Sequence, residues 1–349
     1  MLKEIFTPEE AELMAHFKAP FMDMVPPQEI ADRSGKPFDE VVEILNSLAN
    51  KGLMLRMGTK KRGKYSIWPF IVGIFEFYFS NAKIYSDEQN KKVAKLFEKY
   101  YKRFYWQNAA ASNYPFPRVI PSKTSGKMIE INEVIDGVSQ KVLPFEELEE
   151  LLNQYASFAV MPCSCRTKAG YLEKKCDKPI ETCMTFDLGA DFFVKIGMAK
   201  RLSKEEALAL LKKCEKAGMV HMTLNAKKPD FICNCCSDCC GILRPLTEFH
   251  QPGMFAISNF KPIIDEKIDC TECFICVDKC PTHAVIPWNE NDKWTIEIDD
   301  KLCIGCGICS SNCPTKRIFL KKIKNETPED TMQDAYMRYG KERYKNIMS

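Results

Sequence analysis

The amino-acid sequence predicts a protein of the α+β class that is built from several domains. Its 349 residues are enough for about two or three domains, and a hydrophobic content of 45% allows a sizeable core. The 18 cysteines are spread unevenly: none precedes Cys163, nine lie between 163 and 240 once Cys214 is set aside, and eight lie between 270 and 313. We therefore expect a cysteine-free front followed by two cysteine-rich blocks.

The charge balance and the first residues indicate the compartment of the protein and the partners that it does not bind. Lys and Arg number 50 against 47 Asp and Glu, a formal charge of +3, which excludes a broad basic surface for nucleic acid or anionic lipid. The opening residues lack the apolar core of a signal peptide, and the most apolar run, 68–79, contains Glu76 and is shorter than the ~20 residues of a membrane span. We expect a cytoplasmic protein without a membrane span, in which cysteines bind metal and do not form disulfides.

The front of the chain predicts three helices followed by a two-stranded ribbon. Residues 7–19 begin with Thr-Pro-Glu-Glu, a helix start, and a second helix ends near Gly35. The third covers 37–50, with apolar residues at helical spacing. Strands at 53–56 and 65–68 flank the turn 58–63. This order resembles the winged helix-turn-helix family over about residues 5–70, and implies a winged-helix-like domain at 1–80.

The charges of this front region argue against DNA recognition. The turn is basic, with Lys60, Lys61, Arg62 and Lys64, but the third helix carries Asp39, Glu40 and Glu43. A helix that enters the major groove should not bring carboxylates to a surface of phosphates. We expect the front to dock a partner protein and not to bind specific nucleic acid.

Residues 81–160 predict a helical segment and a linker. Residues 84–112 are rich in Lys and aromatic residues with an amphipathic pattern, 114–145 predict a linker that leads into a small strand pair, and 144–156 predict a helix.

The last cysteine block is a duplication. Cys270, Cys273 and Cys276 are followed by Cys280-Pro281, and each of these cysteines recurs 33 residues later, as Cys303, Cys306, Cys309 and Cys313-Pro314. Residues 284–288 and 294–298 between the repeats predict a hairpin. Zinc sites or a disulfide scaffold fit this spacing poorly.

This block resembles the bacterial two-cluster ferredoxins over about residues 265–322. In that family the fourth cysteine of each run serves the other cluster. The resemblance implies two [4Fe–4S] clusters in a domain at 262–324. One would be held by Cys270, Cys273, Cys276 and Cys313, and the other by Cys303, Cys306, Cys309 and Cys280.

The middle block, in a domain at 161–260, is a second candidate metal region. It contains Cys163, Cys165, Cys176, Cys183, Cys233, Cys235, Cys236, Cys239 and Cys240. The first four make a complete ligand set, and Cys233, Cys236 and Cys239 repeat the C-x2-C-x2-C spacing. Arg166, Lys168, Lys174 and Lys175 are placed to offset cluster charge. Either each group holds its own [4Fe–4S] cluster or both converge on one centre, and zinc is the alternative to iron–sulfur.

No phosphate-binding glycine motif occurs, and the four His are scattered. The preferred function is therefore an iron–sulfur electron-transfer protein that passes single electrons between a low-potential donor and a partner oxidoreductase in anaerobic metabolism. A reductase with its substrate site at the middle cysteines and a redox-sensing DNA-binding regulator remain as alternatives. Residues 325–349 are expected to form a C-terminal docking helix.

Overall fold

The computed structural model describes residues 1–20, 23–106, 114, 116–122, 146–174, 176–248, 258–290 and 293–348. The strand pair expected within 114–145, the end of the helix expected at 84–112, Lys175 and His250 lie wholly or largely outside these residues. The chain combines helices with several antiparallel sheets, so it is of the α+β class.

The front contains helices α1 (Pro8–Met14), α2 (Pro27–Ser34) and α3 (Phe38–Asn50), followed by strands β1 (Met54–Met57) and β2 (Lys64–Ile67). Thr7 and Glu10 form the capping box that starts α1. β1 and β2 pair antiparallel, and Val25 bridges to Tyr65 beside them. Three helices and a ribbon are thus present, while the winged-helix identification stays a prediction.

Two further helices, α4 (Phe75–Ser80) and α5 (Asp87–Tyr100), close the front with an aromatic core. Phe75 contacts both Phe97 and Tyr101 in edge-to-face geometry, with ring centroids 4.9 and 5.2 Å apart. The apolar run 68–79 supplies buried residues to this core. Among the described residues, none of the helices has the length and apolar character that crossing a bilayer requires.

The middle of the chain is a six-stranded antiparallel sheet in the order β3-β7-β8-β5-β4-β6. Its strands are β3 (Pro117–Ile120), β4 (Phe158–Pro162), β5 (Glu181–Phe186), β6 (Lys200–Leu202), β7 (Val220–Leu224) and β8 (Phe231–Cys235). The helices around it are α6 (Leu148–Leu152), α7 (Ser164–Tyr171), α8 (Asp187–Lys195), α9 (Lys204–Lys216) and α10 (Arg244–Glu248). Several neighbours in the sheet, such as β5 and β8, are far apart in sequence, and this determines which cysteines meet.

The C-terminal part consists of two strand pairs and short helices. β9 (Phe260–Ile264) pairs with β12 (Ile318–Lys322), and β10 (Val285–Glu290) pairs with β11 (Lys293–Ile298) as the predicted hairpin. The repeats supply α11 (Ile275–Asp278) and α12 (Ile308–Ser311). Lys279 donates to the carbonyl of Lys216 at 2.6 Å, and Asn312 donates to the carbonyl of Glu215 at 3.2 Å, which holds this part against the end of α9.

The last helix, α13 (Met332–Met348), returns to the front and middle of the chain. The Tyr336 hydroxyl donates to the Val72 carbonyl at 3.1 Å, and its ring meets that of Phe116. The C-terminal helix therefore packs on the segment that precedes α4.

Candidate metal centres

The first group of thiols lies in the C-terminal part. Cys270, Cys273, Cys276 and Cys313 line one cavity, together with Phe274 and other apolar residues. The first three come from one repeat and Cys313 comes from the other. Cys273 is exposed, so this group reaches the protein surface.

The second group is buried more deeply. Cys303, Cys306 and Cys309 come from the second repeat, and Cys280 from the first lies close enough to interact with each of their charges. Burial raises the pKa of Cys303 to about 11 and raises that of Cys306 further. Cys309 also interacts with Cys276, so the two groups are neighbours.

The backbone of each repeat bends sharply to present its thiols. Phe274 precedes α11 and Gly307 precedes α12, both with positive φ, at 52° and 75°. At Gly305, also with positive φ, an added Cβ would lie 2.0 Å from the carbonyl oxygen of Phe260. Only glycine fits this position, because the cysteine loop passes so close to β9.

Six thiols of the middle block form a closed ring, which we call the six-thiol ring. In order around the ring they are Cys163, Cys165, Cys240, Cys235, Cys233 and Cys183, and Cys183 returns to Cys163. Each thiol lies close enough to the next one in the ring to perturb its pKa. Hydrogen bonds with Cys183 and Cys235 lower the pKa of Cys233 to about 7, whereas the neighbouring Cys163 raises that of Cys165 to about 12.

The sheet explains why five of these six meet, all but Cys240. Side chains alternate along a strand, so Cys233 and Cys235 of β8 point to the same face. β5 pairs with β8 through Met184 and Ile232, and continuing this register by one residue sets Cys183 opposite Cys233. Cys163 and Cys165 follow β4, which is the next strand beyond β5.

The other three thiols form a separate group, which we call the three-thiol group. Cys176 Sγ lies 3.6 Å from Cys236 Sγ and 3.7 Å from Cys239 Sγ, and all three sulfur atoms lie within 4.8 Å of one another. The hydrogen bond from Cys239, with the charge of Arg166, lowers the pKa of Cys236 to about 6 despite its burial. Cys176 comes from the surface loop that follows α7.

The spatial groups differ from the groups suggested by chain order. Cys176 does not join Cys163, Cys165 and Cys183, and Cys233 does not join Cys236 and Cys239. The adjacent pairs 235/236 and 239/240 each send one member to the ring and one to the three-thiol group.

The cations expected near the cysteines have different roles. Arg166 is buried, and its Nη1 lies 3.0 Å from the carbonyl oxygen of Asn234 and 3.7 Å from Cys236 Sγ. Burial alone would lower the pKa of Arg166, but the charges of Cys163 and Cys183 raise it. Lys168 instead bonds to Glu98 at 2.6 Å, and its role in offsetting cluster charge stays a prediction. The side chain of Lys174 is exposed.

A cavity of about 60 Å³ opens beside the six-thiol ring. Apart from cysteines its walls are largely apolar, but Glu76, Tyr101 and Tyr105 also line it. Burial raises the pKa of Glu76 to about 7, although its carboxylate accepts a hydrogen bond from Gly73 N at 2.5 Å. Sequence analysis did not identify Glu76 as a candidate site residue, because it lies in an apolar run far from any cysteine in sequence.

Successive thiol groups are in contact through shared apolar clusters. Cys306 of the second C-terminal group packs against the apolar cluster that contains Cys235 and Cys240 of the ring. Cys165 of the ring packs against the cluster formed by Cys236 and Cys239. Starting from the exposed Cys273, the order is therefore the Cys273 group, the Cys306 group, the six-thiol ring and the three-thiol group, whose Cys176 is again only partly buried.

The donor set fits iron–sulfur clusters. All 18 cysteines are free thiols, and thiolates are the ligands of such clusters. Cys214 lies apart on α9 and is fully buried. His221 uses both ring nitrogens within the protein, at 2.6 Å from Asn234 Oδ1 and 3.1 Å from Glu215 Oε1, so its role is structural.

Residues 269–318 match the family model of the 4Fe-4S dicluster domain. No curated protein and no solved structure matches the chain. The matched segment contains all eight cysteines of the two C-terminal groups. The chain thus carries a 4Fe-4S dicluster domain of the ferredoxin kind, which together with its cysteine-rich middle gives it an iron–sulfur electron-transfer role.

Proposed function

We propose that this chain passes single electrons between a low-potential donor and a partner oxidoreductase, in anaerobic metabolism. Iron–sulfur clusters supply the one-electron chemistry. The chain's own residues hold the thiolates in succession, separate them from water and present one end of the series at the surface.

The two C-terminal groups are the proposed ligand sets of the dicluster domain. Cys270, Cys273, Cys276 and Cys313 would hold the outer cluster, since they share one cavity. The inner cluster would take the remaining set, which is Cys280, Cys303, Cys306 and Cys309. Because each set includes one cysteine from the other repeat, the two clusters would connect the two repeats of the domain.

The six-thiol ring is the proposed site of at least one further cluster. Each thiol interacts most strongly with its two neighbours in the ring, and no three of the ring thiols, all of which are described, lie within 4.8 Å of one another, so non-neighbouring thiols are farther apart. A four-iron cluster places its thiolates roughly 6 Å apart, on different corners, and non-neighbouring ring members suit that spacing better than a compact group does. The buried Arg166 offsets part of the negative charge.

The observation that carries the proposal is the uninterrupted order of the thiol groups. An exposed cysteine, Cys273, begins the series and the ring lies at its inner part. Apolar residues, among them Ile304 and Val119, pack around Cys235 and Cys240 of the ring. Such an arrangement suits transfer from a surface donor to a buried centre.

A surface beside the outer group is the proposed docking face for the redox partner. Trp294 on β11 meets Phe274 edge to face at 5.6 Å, and Phe274 is next to Cys273. Trp288 and Trp294 each retain 41% exposure. Large apolar side chains that remain exposed next to a redox site are suited to a transient protein contact.

The experiment is a reductive titration of the full chain, purified and reconstituted without oxygen. We expect about three electrons per chain, one for each of two C-terminal clusters and one for the ring. Cys306→Ser should remove the middle step of the series, so that slow reduction of the ring cluster follows fast reduction of the outer one. Cys214→Ser, which changes a thiol outside every group, should behave as the unaltered protein. A chain that accepts no electrons at low potential would overturn the proposal.

The cavity beside the ring favours reduction of a small substrate as the second candidate function. Glu76, Tyr101 and Tyr105 place one carboxyl and two phenol groups in this cavity, which Arg166 also lines. Such groups can donate protons to a substrate that receives electrons from the cluster. Turnover of a small molecule with a low-potential donor, lost in Glu76→Gln but with iron content unchanged, would select this function over simple electron transfer.

A further inference from the structure

We propose that the three-thiol group, Cys176, Cys236 and Cys239, holds a single zinc ion, separate from the six-thiol ring, with one coordination position left open.

The distances between the three thiols are those of a mononuclear tetrahedral site. Zinc binds thiolates at about 2.3 Å, which places two thiolates of one tetrahedron about 3.8 Å apart. Cys176 Sγ lies 3.6 Å from Cys236 Sγ and 3.7 Å from Cys239 Sγ. All three sulfur atoms lie within 4.8 Å of one another. None of these cysteines is in a disulfide, whose sulfur atoms would be about 2.0 Å apart.

The same distances do not suit a four-iron cluster. Its thiolates bind different corner irons, roughly 6 Å apart, so Cys176 Sγ, at 3.6 and 3.7 Å from the other two sulfur atoms, would have to move away from each by about 2 Å. Cys236 and Cys239 belong to one tight turn, closed by a hydrogen bond from Cys240 N to the carbonyl of Cys236 at 3.1 Å. That turn leaves little room for such a separation.

The dicluster domain provides an internal comparison at the same sequence spacing. Its cysteines also occur as C-x2-C, yet their thiols bond to backbone or hydroxyl groups, as Cys270 does to Glu272 N and Cys313 to Thr315. None of its eight thiols, all within the described residues, makes a thiol–thiol hydrogen bond. The three-thiol group differs from the two ligand sets of the dicluster domain, because its three sulfur atoms all lie close to one another.

The surroundings provide charge compensation, an open position and access. Arg166 Nη1 lies 3.7 Å from Cys236 Sγ and offsets the negative charge of three thiolates on one divalent cation. Among the described residues no fourth Cys, His, Asp or Glu joins the group. Three protein ligands with a fourth position for water or substrate are typical of zinc sites that do chemistry. Cys176 is only partly buried, on a loop whose neighbours Lys174 and Asp177 are exposed, so a small ligand can reach the site.

The proposal predicts a measurable separation of zinc from iron. In the full chain, purified without oxygen from cells supplied with both metals, we expect about one zinc per chain. X-ray absorption at the zinc edge should show three sulfur atoms at about 2.3 Å and one oxygen or nitrogen atom. Cys176→Ser should lose the zinc and keep the iron, since this loop residue touches only the three-thiol group. Cys183→Ser, in the ring, should lose iron and keep the zinc, and Cys214→Ser should keep both.

Three outcomes would overturn the zinc site. They are a chain without zinc, a loss of about four irons in Cys176→Ser, and a zinc that survives Cys176→Ser but not Cys183→Ser. Each differs from a failure of the proposed electron-transfer function, which would appear as a chain that accepts no electrons whatever its zinc content.

Discussion

Replacing Glu98 by Gln should destabilise the packing that supports the cysteine-bearing helix α7. Glu98, on α5, binds Lys168 of α7 at 2.6 Å and Arg244 of α10 at 2.9 and 3.0 Å. Lys168 is 1% exposed and Arg244 is 5% exposed. The change leaves both cations buried without their shared carboxylate, which is the costly way to break a buried ion pair.

The magnitude follows from the pKa of Glu98. Burial alone would raise this pKa, but Arg244 and Lys168 lower it from 4.5 to about 2. A difference of one in pKa corresponds to about 1.4 kcal/mol, so the cations and burial together favour the ionised carboxylate by about 3 kcal/mol. We expect Glu98→Gln to lower the free energy of unfolding by that order.

The assay is urea unfolding of the full chain, followed by circular dichroism without oxygen. With a slope of about 3 kcal/mol per molar urea, the midpoint should fall by roughly 1 M. Glu248→Gln is the matched control: Glu248 binds the same Arg244, at 2.5 Å, but its side chain is 37% exposed, so its loss should change the midpoint little. Equal effects of the two changes would refute the reasoning.

The pH dependence of this contribution has a definite sign. Because the folded pKa of Glu98 is lowered, its stabilisation is complete above the ordinary pKa of 4.5 and disappears as the pH falls towards about 2. The difference between the unaltered protein and Glu98→Gln should therefore be constant between about pH 5.5 and pH 8. A difference that shrinks within this range would show that the carboxylate is not held ionised.

Two further predictions test the C-terminal and front parts of the chain. Cys273→Ala and Cys306→Ala should each remove one cluster, about four irons, and leave the other in place; the check is iron analysis with low-temperature EPR, and loss of both clusters from either change would contradict separate ligand sets. In a binding screen against random duplexes at physiological salt, the full chain should enrich no sequence, since Asp39 pairs with Lys61 at 2.8 Å and both are exposed. Enrichment that disappears when Lys60, Lys61 and Arg62 are neutralised would instead favour the DNA-binding regulator.

The C-terminal site could be predicted from sequence because its geometry is local. The cysteines of each repeat lie within one short loop, and the 33-residue period marks the second copy. The hairpin between the repeats followed from its alternating pattern, and the structure has it at β10 and β11. The match of residues 269–318 to the 4Fe-4S dicluster domain confirms the ferredoxin resemblance of this block.

The middle site could not be predicted in the same way, because its geometry depends on which strands are neighbours. Cys183 and Cys233 are 50 residues apart in sequence and meet only since β5 pairs with β8. The spacing of Cys233, Cys236 and Cys239 suggested one set, but Cys233 is in a strand while the other two are in the turn beyond it. The alternation of Cys233 and Cys235 about Asn234 was the available signal, and it indicates a strand with both thiols on one face.

The measurement that tests the account most directly is the iron content of the full chain, purified without oxygen, beside that of Cys163→Ser/Cys233→Ser. We expect about twelve irons per chain, from two C-terminal clusters and one ring cluster. About eight should be left in the double variant, because the C-terminal clusters are independent of the ring. Cys163 and Cys233 were chosen because both belong to the ring and neither touches the three-thiol group. A chain with about eight irons, unchanged in the double variant, would contradict an iron–sulfur cluster in the six-thiol ring.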